Sequence, residues 1–172
     1  RGSSDADLHF DVDGGPFEWW KFKVPHLTGE VHWQGESLTL TNVLASFYEG
    51  DAAGFAHFDF NRGRGADFNF TAGVTNASLP ALLADVSTHT NQLEGALSGR
   101  LVIANGDTAE PRSWTGSGRA RLRDGLLWEI PIFGILSKPL DALMPGVANS
   151  RFSEASARFG ITNGVIAWDK LE

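Results

Sequence analysis

Acid–base and metal chemistry in this chain would have to come from its histidines, His9, His26, His32, His57 and His89, and its 21 carboxylates. None of the histidines sits in an H-E-x-x-H pattern, the spacing that puts two imidazoles on one helix face around a zinc ion. His9 with Asp11 and His57 with Asp59 are i, i+2 pairs, which a strand presents on one face. Such a pair could offer two ligands to a metal, but no third ligand accompanies either, so both read as solvated polar positions. The carboxylates fall in turns and on polar faces. A glycosidase pair among them would be defined only by separation in space.

Ser117 lies in Gly116-Ser117-Gly118, inside a strand-like run. It lacks the strand-to-helix turn of a nucleophile elbow, and no Gly-Lys-Ser/Thr makes the segment a phosphate loop. The glycines fit a bend or close packing in a sheet. Asn69-Phe70-Thr71 and Asn76-Ala77-Ser78 match glycosylation sequons, but such short triplets recur by chance and carry no weight here. No catalytic centre, metal site or cofactor site is expected, and the chain reads as a non-enzyme.

Composition narrows the partners. A net charge of −7 argues against nucleic acid, whose binding rests on a basic footprint, and against docking on anionic headgroups. Cysteine is absent, which removes disulfides, thiolate metal sites and thiol nucleophiles. Phe outnumbers Tyr by 12 to 1, and rings without a hydroxyl suit dry or lipid-facing positions. No apolar run reaches the roughly 20 residues of a membrane span. The chain begins Arg1-Gly2-Ser3 without Met and reads as an excised piece of a longer protein.

Alternation of period two dominates the rest. Leu8–Val12, Phe17–Val24, Leu27–Trp33, Leu38–Tyr48, Gly54–Phe60, Asp67–Ala72, Leu93–Ile103, Gly118–Leu122, Phe152–Ile161 and Val165–Trp168 are the expected strands. Gly54–Phe60 and Asp67–Ala72 should pair as a hairpin with phenylalanines on one face. Turns are expected at Glu49-Gly50-Asp51, in a polar loop Ala104–Arg112 containing Asn105-Gly106, at Asp124-Gly125 and, most strongly, at Asn163-Gly164. Ser78 caps a short amphipathic helix near 79–87, with Pro80 in its first turn. A longer apolar helix is expected near 130–144. The stretch from Trp114 to Trp168, which contains it, reads as the organising part of the fold.

Leu27-Thr28-Gly29-Glu30-Val31 and Leu93-Glu94-Gly95-Ala96-Leu97 start similar runs of strands, each ending in an apolar helix. Residues 1–172 therefore read as one module, divisible into two weak repeats of about 8–90 and 91–172. The expected fold is mainly β: a repetitive antiparallel sheet curved into an apolar-lined groove or taco-like sandwich. A sheet with one apolar side and few helices to cover it must fold on itself or bind something apolar.

Several short motifs, in order, carry a resemblance: Leu93-x-Gly95, Gly116-x-Gly118, Asp124-Gly125, Trp128 with Ile130-Pro131, the apolar run Phe133–Leu143, Ser150-Arg151-Phe152 and Asn163-Gly164-Val165-Ile166. Upstream, Tyr48-x-Gly50 and Leu79-Pro80-Ala81-Leu82-Leu83 repeat the style. The chain thereby resembles the C-terminal region of the AsmA-like proteins, the family of TamB and YdbH relatives. The resemblance implies a bridge-like lipid-transfer module of the cell envelope. It implies the periplasmic part of an inner-membrane-anchored protein of a Gram-negative bacterium, acting in phospholipid transport and outer-membrane biogenesis and homeostasis. It brings no catalytic residues.

The expected function is to hold phospholipid acyl chains in the groove, with a membrane or envelope proteins as further partners. Phe10, Trp20, Phe22, Trp33, Phe58, Phe60, Phe68, Phe70, Leu97, Leu101, Trp128 and Phe159 are the candidate lining. Ile130, Ile132, Phe133, Leu136, Leu140 and Leu143 form a candidate membrane- or partner-contact helix. The alternatives are a structural or adaptor β-domain with a closed core and a carbohydrate-binding module using Trp19, Trp33 or Trp114 as platforms.

Overall fold

The computed structural model describes residues 7–19, 21–60, 64–86, 94–126 and 151–171; the side chains of Trp19, Gly125, Leu126, Arg151–Ser153, Trp168, Lys170 and Leu171 are outside that description. Trp20, Trp128 and the expected helix near 130–144, with Ile130, Ile132, Phe133, Leu136, Leu140 and Leu143, lie outside the described residues.

The chain is mainly β. Its strands are β1 (Asp7–Gly14), β2 (Phe17–Trp19), β3 (Phe22–Val24), β4 (Leu27–Gln34), β5 (Ser37–Phe47), β6 (Gly50–Asp59), β7 (Asp67–Ser78), β8 (Ala96–Asp107), β9 (Glu110–Leu126), β10 (Arg151–Thr162) and β11 (Val165–Leu171). One helix, α1 (Leu79–Val86), lies between β7 and β8. Nine strands form a single antiparallel sheet in the order β1-β4-β5-β6-β7-β8-β9-β10-β11. Apart from the β2–β3 hairpin, which is set outside the sheet, each strand pairs with its sequence neighbour. The sheet is not closed into a barrel, because β1 and β11 are its edges.

The alternation reads out as expected in most strands. Gly54–Phe60 and Asp67–Ala72 pair, with Phe58 directly opposite Phe68. Asn163 and Gly164 join β10 to β11 with φ of 52° and 70°, the left-handed pair that a type I′ hairpin turn requires. Helix α1 starts where Ser78 accepts a long 3.5 Å hydrogen bond from the Ala81 amide, and it buries Leu79, Leu82 and Leu83.

Four expectations are corrected. Phe17–Val24 is not one strand but a small hairpin, with Phe17 opposite Val24 and Trp19 opposite Phe22. Asn105-Gly106 is not in a loop; β8 runs on to Asp107, and the register slips there between Ile103 and Asn105 and again between Asn105 and Asp107. Asp124-Gly125 is not a turn either; β9 continues to Leu126 with Asp124 at φ 53°. The turn expected at Glu49-Gly50-Asp51 lies one residue earlier, at Tyr48 and Glu49, both with positive φ. Asn, Asp and Gly tolerate left-handed backbone, and a bulge needs that conformation as much as a turn does.

The bulges share a logic. Asn42, at φ 50°, is the extra residue of β5 against both neighbours, and Asn76, at φ 54°, lies in the extra residue step of β7 against β8. Each bends the sheet and increases its twist.

Candidate functional site: the apolar face

Register partners point to the same side of a sheet, so the pairing assigns faces. Phe10, Val31, Leu40, Ala56, Phe70, Ile103, Gly116, Ile161 and Ile166 follow one another across all nine strands. A parallel row runs through Leu8, Trp33, Leu38, Phe58, Phe68 and Gly106. Every member of both rows is apolar or glycine. The row between them on the other face reads His9, His32, Thr39, His57 and Asn69. One face of the sheet is therefore apolar from edge to edge, and the other is mixed, polar in this row but carrying Leu44, Phe55, Val102 and Val165 elsewhere.

Two cores form on the apolar face. In one, Leu79, Leu82 and Leu83 of α1 pack on Leu122, joined by Phe22, Phe47, Tyr48, Val86 and Leu97. Helix and β2–β3 hairpin together cover this end. In the other, Phe68, Ile103, Phe159 and Ile161 are buried, with Phe58, Phe70, Leu101, Trp114 and Ile166 around them. Glycines make room for the rings here. A side chain at Gly118 would collide with the Phe159 ring, and one at Gly106 would meet Phe68 and Trp114.

An aromatic row leads from this second core to the open end of the face. Phe70 and Phe68 are stacked at 6.1 Å, Phe68 and Phe58 at 6.0 Å, Phe58 and Phe60 at 6.2 Å, and Phe60 and Trp33 at 6.4 Å between centroids. Trp114 meets Phe68 edge-on at 5.3 Å and gives its indole N–H to the Asp107 carbonyl at 3.0 Å. The row begins buried, at Phe68 with 7% exposure, and ends in the open, with Phe60 at 42% and Trp33 at 44%. Leu8 at 53% and Phe10 at 45% extend the open part to the β1 edge.

Of the candidate lining residues, Phe10, Trp33, Phe58, Phe60, Phe68, Phe70, Leu97, Leu101 and Phe159 are on this face or in its cores. Phe22 reaches it from the hairpin and faces Phe47 at 6.1 Å. Sequence reasoning left Ile103, at 2% exposure, and Trp114, the ring that meets Phe68 edge-on, out of the candidate lining. Alternation signalled both, but only register shows which ring meets which.

The covered end is fastened by polar groups. Lys23 Nζ binds Asp85 Oδ1 at 2.6 Å, Tyr48 donates its hydroxyl to Asp85 Oδ2 at 3.0 Å, and the Lys23 amide donates to the Tyr48 hydroxyl at 3.0 Å. These bonds tie hairpin, sheet and helix at one point. The hydrogen bonds from Lys23 and Tyr48 hold the Asp85 carboxyl below its usual range. The same bond and charge raise Lys23, while burial is the main cause that raises Tyr48.

Three of the described histidines have ordinary polar partners. His26 contacts Asp13 at 2.8 Å, His32 contacts Asp7 at 2.7 Å, and His57 contacts Thr39 at 2.9 Å. Among the described residues no group of three or more His, Cys, Asp or Glu is placed to hold a metal ion. No helix among them is long and apolar enough to cross a membrane. Comparison with family models, with curated proteins and with solved structures gave no match.

Proposed function

We propose that this module binds lipid acyl chains along its apolar face, as part of a lipid-transfer protein of the bacterial envelope. The observation that carries the reading is the apolar row through all nine strands, buried at Val31, Ile103 and Ile161 and open at Phe10, beside exposed Leu8, Trp33 and Phe60. Its open end, Leu8, Phe10, Trp33 and Phe60, is a cluster of exposed apolar side chains of the kind that marks a binding site. An acyl chain laid along it removes apolar area from water at about 25 cal/mol per Å². The headgroup stays in solvent at the rim, near Trp33 and Phe60.

The resemblance to AsmA-like proteins supports the same reading, and with it a periplasmic site of action and phospholipid as cargo. Among the described residues the two rows hold only apolar residues and glycine, which suits a conduit for chains rather than a selective receptor. A fluorescent phospholipid titrated into the protein tests this. Saturable binding that is displaced by unlabelled phospholipid, and weakened by Phe60→Asp in a folded variant, is the expected result. No saturable binding to the folded wild type overturns it and leaves the closed-core adaptor reading.

A further inference from the structure

On the opposite face, three arginines stand side by side. Arg100 of β8 is the register partner of Arg119 of β9, and Arg119 is the register partner of Arg158 of β10. All three are exposed. Like charges directly opposite on neighbouring strands repel, so this row works against folding. In the next row on that face, Arg121 is neutralised by Glu154 at 3.0 Å. Among the described residues, Arg100, Arg119 and Arg158 have no such ion pair.

The row of partners beside the arginines is small: Val102, Ser117 and Gly160. That leaves a hollow of about 340 Å³ lined by Arg100, Arg119, Arg158, Ser117, Val102 and Asp169, among others. Asp169 is the extra residue of β11 at the register slip opposite Arg158 and Phe159. Against the three arginines, Asp169 is the one carboxylate in the lining, so positive charge is in excess there. This concentration of charge occurs in a chain whose net charge is −7.

We propose that this hollow is a binding site for a phosphate-type oxyanion. Guanidinium groups present planar donor forks, and a tetrahedral anion can accept from several forks at once, whereas one fork satisfies a carboxylate. The Ser117 hydroxyl supplies a further donor from the same wall. Bound anion would relieve the repulsion along the arginine row, so binding and stability are coupled. The phosphate could belong to a soluble compound or to a phospholipid headgroup. The site is on the reverse of the sheet from the acyl-chain face and stands or falls independently of it.

The test compares thermal unfolding in inorganic phosphate and in sodium chloride at matched ionic strength, with flotation on phosphatidylglycerol and phosphatidylcholine vesicles. Wild type, Arg119→Gln, Arg158→Gln and the charge control Arg112→Gln are compared. Arg119→Gln removes a repelled charge, so it should fold at least as well as wild type without phosphate. The expected result is a higher midpoint in phosphate than in chloride, mostly lost in Arg119→Gln and Arg158→Gln and kept in Arg112→Gln. If the phosphate shift comes without flotation, the source is a soluble phosphate. If flotation on phosphatidylglycerol alone depends on Arg119, the source is a headgroup. Equal midpoints in phosphate and chloride with flotation indifferent to Arg119, or an equal loss in Arg112→Gln, overturns the proposal.

Discussion

The tip of the Phe159 ring lies over Gly118, its register partner on the neighbouring strand, in the space where any other residue would have a side chain. Gly118 has no positive φ, so its role is space alone. The contact lets a ring from β10 reach toward Ile103 and Phe68 across β9. Gly118→Ala should therefore destabilise the fold by about 1–3 kcal/mol, the cost of overpacking a filled core. Urea unfolding of the variant measures it; a change within a few tenths of wild type would mean that the ring moves aside freely.

Ile103 and Phe60 share the apolar face but differ sharply in burial, 2% and 42% exposed. Ile103→Ala should cost about 2–5 kcal/mol, as expected for a large core side chain cut back to Ala. Phe60→Ala should leave stability within about 1 kcal/mol, since half-open positions seldom carry large terms. It should nevertheless weaken lipid binding. Chemical denaturation and a lipid titration on the same two variants separate core from binding surface.

The fastening of Lys23, Tyr48 and Asp85 gives a pH dependence. Asp85 is depressed in the folded state, so its contribution is complete above the ordinary carboxylate range near 3.8 and fades as pH falls through the folded value. Lys23 and Tyr48 are raised, so their contributions are complete below about pH 10 and fade as pH rises through the folded values. Wild type should exceed Asp85→Asn in stability across neutral pH. The gap should close in acid, and unfolding midpoints measured from pH 2 to 8 would reveal it. A gap that stays constant into acid would show that the carboxylate is not what holds the hairpin and helix.

At the β10–β11 turn, Gly164 has φ 70°, and a Cβ there would meet the Pro111 carbonyl. Gly164→Ala should cost about 1–2 kcal/mol for the left-handed backbone alone. The same substitution at Gly160, where a Cβ meets nothing within 4 Å, should be close to neutral. Thermal midpoints of the two variants compare them directly.

Much of this was legible in the sequence, and the losses have a common cause. Alternation located the strands because side-chain period in a strand is fixed at two, and it put Phe58 and Phe68 on one face correctly. It misread Asn105-Gly106 as part of a loop and Asp124-Gly125 as a turn. Those residues advertise tolerance of unusual backbone, and only long-range pairing decides between a turn, as at Asn163-Gly164, and an irregular strand, as at Asp124. The arginine row was hidden for a related reason. Arg119 reads as an outward residue, but its alignment with Arg100 and Arg158 exists only once three strands are in register.

Native mass spectrometry of the protein purified from bacterial cells tests the acyl-chain reading most directly. The account predicts phospholipid adducts on the folded wild type and their loss in a folded Trp33→Asp, Phe60→Asp double variant. A folded wild type that carries no lipid and takes up none when phospholipid is added would contradict it.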